Sequence, residues 1–393
     1  MLSRLLGDLT TAEYIFISST IRRLDQKESI AYNKLHSPGN LTSNRSPWLL
    51  RRLRRMGLFH NWVFSTAVKH RARVIARSVI KNQCGVLVAC SGGDLIDIPA
   101  AVEAGRLTNL PVFLYYFDDY PGQWEASATG WQPAFANHQR VVVEHSIEPF
   151  ISGIIVPNEM LAEEVTQRLS RRVPVTVVRN PVDLSGYKQL VQRKRGTTCS
   201  KFPQSEKRNH IILYTGSVYN AQSDSLDNII QAIQQLIKDG YHIALKIYSN
   251  EAEQLNHYPR LYKNVSVHNP ISPDEIAELQ SSADVLLLPL SFYSDYPSLI
   301  RTSAPGKFGE YLASGTPMFI HAPHDSFPVV FANTHRCGKV CDTPDVSSVC
   351  KALASLLDCP STSTNLVENA LRVSQMYDIK YNRDRLFSFL DQT

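Results

Sequence analysis

The chain of 393 residues carries 41 Lys+Arg against 36 Asp+Glu, a net charge of +5, with 43% hydrophobic residues. This length exceeds a single ordinary core and predicts two domains or more, and the composition is that of a soluble globular protein. No window nears the roughly 18 uninterrupted apolar residues of a transmembrane helix, and the opening residues MLSRLLGDLTTAEY lack the apolar core and cleavage site of a signal peptide.

Charge is uneven along the chain. Residues 1–110 hold 16 Lys+Arg and 7 Asp+Glu, or +9, while the remainder holds 25 and 29, or −4. The first predicted element is a strand over 14–18, YIFIS; residues 33–46, with Pro38, Gly39 and several Ser and Asn, read as loop. Residues 46–59, SPWLLRRLRRMGLF, read as a basic amphipathic helix capped by Ser46 with Pro47 at its first position. Leu49, Leu50, Leu53 and Met56 recur at helical spacing, and Arg51, Arg52, Arg54 and Arg55 fill most of the rest. Two readings stand for this helix. It lies on an anionic membrane surface, or its leucines pack on the domain while its arginines are solvated. Nucleic acid is disfavoured as a partner, because no aromatic platform or reader motif accompanies the arginines.

Periodicity predicts a helix over 61–81, a buried strand over 85–90 and a helix over 95–104. Gly92-Gly93-Asp94 lies between the last two, either as a plain tight turn or as backbone N–H groups facing a ligand. The next strand, 111–117, ends at Asp118-Asp119; strands over 153–158 and 173–180 follow, with a helix over 159–170 between them. Residues 184–209, polar and rich in Lys, Arg, Thr and Ser, read as an interdomain linker.

A second set of elements opens with a strand over 210–215, closed by Gly216-Ser217, and a helix over 226–238. Strands at 242–248 and 265–268 and a helix at 273–281 lead to residues 283–320. That stretch reads as strand (285–290), polar loop, helix (307–313) and strand (318–320), with Gly315 and Pro317 ending the helix. Continuous apolar strands separated by helices predict a parallel sheet buried on both faces, whose ligands sit at the carboxyl ends of its strands. Arg301, Lys307 and Glu310 fall at that mouth, and Gly306 and Gly309 are expected to leave the backbone bare beside them. Helices at 327–333, 346–357, 364–377 and 383–390 complete the chain. The seven cysteines, at 84, 90, 199, 337, 341, 350 and 359, lack zinc spacing and are expected as reduced thiols of a cytoplasmic protein.

PGKFGEYLASGTP, residues 305–317, resembles the P-x-K-x-x-E-Y-L-A-x-G-x-P signature of GT-B glycosyltransferases of group 1 (family 4), nearest to bacterial cell-surface polysaccharide and lipid-glycan transferases. VPNEMLAEE, VVRNPVD and YTGS resemble three further motifs of that family, in the right order. The resemblance implies an α/β protein of two Rossmann-like domains. Residues 1–183 are expected to form the acceptor-side domain; the family's opening β-loop-α unit does not show before the strand over 14–18, so either the start is cut short or the unit has been lost. Residues 210–377 form the donor-nucleotide domain, and 378–393 form a helix crossing back to the first domain. It implies that Glu310 grips the donor ribose hydroxyls and that Lys307 meets the diphosphate, which suits a carboxylate acceptor and a point cation. Gly216, Ser217, Arg301 and Gly306 join them as donor-binding residues. Gly92, Gly93, Asp94, Asp118 and Asp119 fall on the acceptor side, with Asp118 alongside Lys307 as a catalytic candidate and Asp119 alternatively a cap for the following loop. The chain departs from the family pattern at Pro181, where glycine is usual, at Ser217, where an arginine is common with a lysine a few residues on (here Tyr219 and Asn220), and at Thr302, where a second glutamate is common.

The implied function is retaining, metal-independent transfer of a sugar from a nucleotide-sugar to a glycan or lipid-linked acceptor in polysaccharide biosynthesis. No cofactor is expected, since the nucleotide-sugar is a substrate, and the protein is expected in the cytoplasm or at the inner face of the plasma membrane. The other two readings are an inactive or regulatory GT-B protein that binds nucleotide or glycan, and a sugar-nucleotide epimerase of the same fold.

Overall fold

The structure, a computed structural model, describes residues 5, 16–18, 41–43, 48–56, 59–91, 95–122, 133–197 and 209–392. They divide into two compact units, residues 1–179 with 382–393, and residues 180–381.

Unit 1 holds two parallel sheets. Strands β1 (Phe16–Ser18) and β2 (Leu41–Ser43) pair with each other. The second of these lies inside the stretch expected as loop; three residues, LTS, carry too little pattern to announce a strand. The larger sheet has the order β3 (Leu87–Cys90), β4 (Val112–Tyr115), β5 (Gly153–Val156), β6 (Val175–Val177), all parallel. Strands β4 and β5 are buried at every residue, which is why they read as unbroken apolar runs rather than as alternation. Helices α1 (Trp48–Arg55), α2 (His60–Lys81), α3 (Asp97–Thr108), α4 (Pro133–Ile147) and α5 (Glu159–Arg168) accompany them. The α2–α3 pair closes one side of the core with Val63, Ala67, Ile75, Val79, Ile98 and Val102. An ion pair from the buried Arg71 to the half-buried Asp97 ties the two helices together.

Unit 2 begins inside the segment Arg179-Asn180-Pro181, ahead of the expected linker. Residues Leu184–Thr197 are not linker but helix α6, whose Leu184, Tyr187 and Val191 are buried. Its polar composition belongs to an outward face; the inward positions recur at 184, 187 and 191, a helical spacing. Six parallel strands follow: β7 (Asn209–Thr215), β8 (His242–Tyr248), β9 (Val265–His268), β10 (Val285–Pro289), β11 (Met318–His321) and β12 (Lys339–Cys341). Their spatial order is β12-β11-β10-β7-β8-β9. This is a doubly wound sheet, with the order reversing between β7 and β10. Ligands of such sheets bind in the crevice outside the strand ends at that reversal.

The connecting helices of unit 2 are α7 (Ser223–Lys238), α8 (His257–Leu261), α9 (Pro273–Ser282), α10 (Pro297–Arg301), α11 (Lys307–Ala313), α12 (Phe327–His335), α13 (Val346–Asp358) and α14 (Pro360–Val373). A capping box fixes the start of α9: Ser272 and Glu275 each satisfy the other's backbone N–H. The last helix, α15 (Ile379–Leu390), runs into unit 1 from Asn382 onward. There Leu386 and Phe389 pack with Leu5, Phe113, Tyr115 and Ile155. Gly153 makes room for this packing, since a Cβ would stand 2.6 Å from the Phe389 ring.

Candidate active site

The site is built where β7 ends, beside the strand reversal. Gly216 follows β7 with φ +126, a conformation that L side chains rarely adopt. A Cβ there would also stand 2.7 Å from Nζ of Lys307. Lys307, the first residue of α11, therefore reaches across a bare turn. Its ammonium donates to the Tyr214 hydroxyl at 2.6 Å and lies 3.9 Å from the centroid of the same ring, a cation–π contact. The Tyr214 hydroxyl in turn donates to the Ser217 carbonyl at 2.5 Å. Burial keeps the Tyr214 phenol well above its ordinary value, so it stays a neutral donor.

The lysine is half-buried. Burial pushes its ammonium down to about 7, although the carboxylates of Glu310 and Glu251 pull the other way. An anion placed at this turn would restore the full positive charge.

The family resemblance implies a turn that offers backbone N–H groups to a diphosphate. Two of them are already engaged. Gly216 N–H donates to Tyr248 O at 2.9 Å, continuing the β7–β8 ladder by one residue. Val218 N–H donates to Oε2 of Glu251 at 3.1 Å. The Ser249 hydroxyl donates to the same oxygen at 2.7 Å. Burial alone would raise the Glu251 carboxyl; hydrogen bonds from Ser249, Val218 and Ser217 outweigh it and hold the group below its ordinary value. Ser217, standing where a cationic clamp is common, thus belongs to a carboxylate-pinned turn. The demand for positive charge falls on Lys307.

Helix α11 is held so that Lys307 and Glu310, three residues apart, share one face. Phe308 packs edge-on against Phe327, Phe331 and Tyr377. Gly309 is a packing residue, contrary to the expectation that it bares backbone for a ligand: it is buried, and a Cβ would stand 2.6 Å from the Tyr377 ring and 2.9 Å from Val182. Tyr311 accepts from Thr215 N at 3.0 Å, pinning the helix to the end of β7. Glu310 is half-exposed, and Nε2 of the fully buried Gln280 donates to its Oε2 at 3.3 Å. Gln280 also donates to Thr215 Oγ1 at 3.3 Å and accepts from the Tyr187 hydroxyl at 2.8 Å. Gln280 and Glu251 carry no motif, so only the fold brings them to the site. Tyr214 does stand inside the YTGS motif, which is the one signal the sequence carries for it.

Of the remaining unit 2 candidates, Gly306 is exposed with open space where a Cβ would lie, and Arg301 is half-buried at the end of α10. Thr302 is buried, and its hydroxyl donates back to Ser298 O at 3.0 Å within its own helical turn.

Residues 199–373 match the family model for glycosyl transferases group 1. This chain carries a group 1 glycosyltransferase domain. No curated protein matches it in sequence. Among solved structures it is similar to a glycosyltransferase from Rickettsia africae, with TM-score 0.65 and 9% identity over 99% of this chain and 93% of that one. A sucrose-phosphate synthase from Thermosynechococcus elongatus gives TM-score 0.64 and 14% identity over 91% and 84%. A chain assigned as a UDP-N-acetylglucosamine 2-epimerase from Listeria monocytogenes gives 0.56 and 10% over 98% and 90%. At such identities the likeness is one of fold, and the fold is GT-B, two Rossmann-like domains.

The group 1 domain and its donor-side candidates lie in unit 2; the acceptor-side candidates lie in unit 1. Gly92, Gly93 and Asp94 fall outside the described residues. Asp118 is exposed just after β4. Asp119 is turned inward instead: it is buried, forms an ion pair with Arg168 at 2.8 Å and accepts from Gly122 N at 3.1 Å. Its cap role is the one the geometry supports, because a carboxylate paired in this way is not offered to a ligand.

Proposed function

We propose that the protein is a retaining glycosyltransferase, moving a sugar from a nucleoside-diphosphate sugar to a hydroxyl of a glycan or lipid-linked acceptor without a metal ion, as a step of polysaccharide or lipid-glycan assembly. The observation that carries this reading is the Lys307 ammonium lodged against the bare Gly216 turn at the strand reversal, with Glu310 one helical turn away. When the bond between the anomeric carbon and the phosphate oxygen breaks, the electron pair leaves with the diphosphate. A fixed cation at that oxygen lowers the barrier without reorganising. The acceptor hydroxyl attacks on the face the diphosphate vacates, and its proton passes to the departing phosphate oxygen. Glu310 accepts from the ribose diol, and Gln280 positions its carboxylate.

The test is a thermal-shift screen against UDP, GDP, ADP and their sugar conjugates, repeated on Glu310→Gln. Ligand that binds only the folded protein raises its midpoint. A shift with one nucleotide class, lost in the variant, is the expected result. No shift with any nucleotide would overturn the donor site.

One observation favours a second reading, a nucleotide-binding protein that transfers nothing. Ser217 and Thr302, two departures from the family pattern, are both committed to internal bonds. Slow release of free sugar from the donor in the absence of acceptor excludes that reading. Bound donor that is never turned over supports it.

A further inference from the structure

The described residues of unit 1 hold an outward face with no counterpart in unit 2. Helix α1 divides its apolar residues: Leu50 is in the core and Leu53 packs against it, while Trp48, Leu49 and Met56 stay exposed at 64%, 49% and 56%. Trp48, Arg52 and Met56 are spaced four residues apart and so share a stripe, with Leu49 beside it. Phe59, between α1 and α2, is 71% exposed, and Trp62 at the start of α2 is 57% exposed. Among the described residues, five of the fifteen exposed large apolar side chains thus fall within residues 48–62. Along α2 the outward positions continue as Lys69, Arg73 and Arg77, at steps of four.

Phe59 adopts φ 54, ψ 42, the left-handed region, where a bulky side chain is strained. Its side chain is mostly exposed, so packing within the chain offsets little of that strain. Strain at an exposed aromatic points to a contact outside the chain.

The charge around this face selects the contact. Residues 29–93 contain eleven Lys+Arg and no Asp or Glu. Arg51, Arg52, Lys69, Arg73 and Arg77 are exposed. No helix of the described residues is long and apolar enough to cross a membrane. Exposed tryptophan and phenylalanine flanked by arginines, on a short helix lying along a domain, match the interfacial layer of a bilayer. There aromatic rings seat at the headgroup level and cations meet anionic lipid.

We propose that the outward face of α1 and the adjoining part of α2 docks on an anionic lipid bilayer, with Trp48, Phe59 and Trp62 entering the headgroup region and Arg51, Arg52, Lys69, Arg73 and Arg77 meeting lipid phosphate and carboxylate. The proposal fits a lipid-linked acceptor but needs no donor. It stands or falls separately from the transferase reading.

The test is cosedimentation of the full chain, without nucleotide, with vesicles of phosphatidylcholine alone and with roughly one third phosphatidylserine, at low and high salt. Tryptophan emission is read in parallel. Expected is binding to the anionic vesicles only, weakened by salt, with a blue shift of emission. Each cation near such a surface changes partitioning about fivefold, so Arg51→Glu with Arg52→Glu should abolish sedimentation. Phe59→Gly keeps the left-handed backbone and removes the ring; it should reduce binding while leaving the thermal midpoint unlowered, which separates lost contact from lost fold. Equal binding to both vesicle types, or to neither, would overturn the proposal. So would RNA binding in the absence of vesicle binding, or a concentration-dependent dimer that Phe59→Gly and Trp62→Ala dissolve.

Discussion

The end of β7 in unit 2 and the α1–α2 face of unit 1 handle charge in opposite ways. At Gly216 almost every polar group is committed: the turn amides to Tyr248 and Glu251, the phenol of Tyr214 to Ser217, and Gln280 to Glu310, Thr215 and Tyr187. One ammonium, Lys307, is held in a half-buried position where its charge is disfavoured until an anion arrives. On the α1–α2 face, five exposed cations and five exposed apolar side chains have little protein to answer them. A site that binds one small, highly charged ligand needs few donors, fixed in advance. A surface that meets an extended, fluid partner needs many weak contacts, and no single one has to be oriented. The two regions should therefore respond to substitution differently: steeply at single residues in unit 2, gradually and with salt in unit 1.

The largest effect is expected at Lys307. Lys307→Met keeps the stem and removes the charge. A hydrogen bond to a charged partner contributes about 1.5–3 kcal/mol, so donor or nucleoside-diphosphate affinity should fall by roughly 10- to 100-fold in titration calorimetry. Stability should not fall, since the deleted charge is one the fold disfavours. A variant that loses stability in proportion to binding would make Lys307 a structural residue and remove the contrast. Gly309→Ala sharpens the same contrast from the packing side. The new methyl must displace Tyr377 or Val182, which costs about 1–3 kcal/mol in thermal or urea unfolding. Nucleotide affinity per folded molecule should stay close to that of the parent.

The amino-acid pattern makes these two regions legible to different depths. The buried parallel strands of unit 2 show as apolar runs, and the helical pattern over 307–313 coincides with α11. Helix α6 reads as linker because its surface is polar and only Leu184, Tyr187 and Val191 face inward. Helix α4 is absent from the sequence expectations, and β2 and β12, three residues each, are too short for periodicity to show. In the site, the motifs mark Lys307, Glu310 and Gly216. They do not tell that Gly309 serves packing, that Asp119 is paired to Arg168, or that Glu251 and Gln280 hold the turn and the carboxylate. Those last two roles depend on partners 30 to 93 positions away in the chain, which only the fold brings near.

The pH dependence of binding comes next in size. Because burial holds the free Lys307 ammonium at about 7, an anionic ligand must bind the protonated form or bring a proton with it. Affinity should be highest below pH 7 and fall as pH rises above it, by up to about tenfold per unit until the pKa of the complex is reached. Calorimetry in two buffers of different ionisation enthalpy should show proton uptake near pH 8 and none near pH 6. The sign for stability is the reverse. Between about 7 and the ordinary lysine value the unfolded chain binds the extra proton, so this group adds stability as pH rises through that window and subtracts it as pH falls. Opposite slopes for folding and for binding would tie both to one group; Lys307→Met should flatten both.

The smallest effect belongs to unit 1 and tests whether its face is kept for something other than the fold. In water, Phe59→Gly relieves a left-handed phenylalanine, worth about 1–2 kcal/mol, against a backbone entropy cost of about 0.5–1 kcal/mol. The N-terminal hydrogen bond of α2, from Val63 N to Phe59 O at 2.9 Å, involves only backbone and survives the change. The variant should therefore be more stable than the parent by roughly 0.5–1 kcal/mol in urea unfolding. A residue whose removal improves the folded state has no reason to be there on folding grounds. If Phe59→Gly instead lowers stability, its ring is packed within the chain, and the α1–α2 face becomes a solvated helix surface like any other.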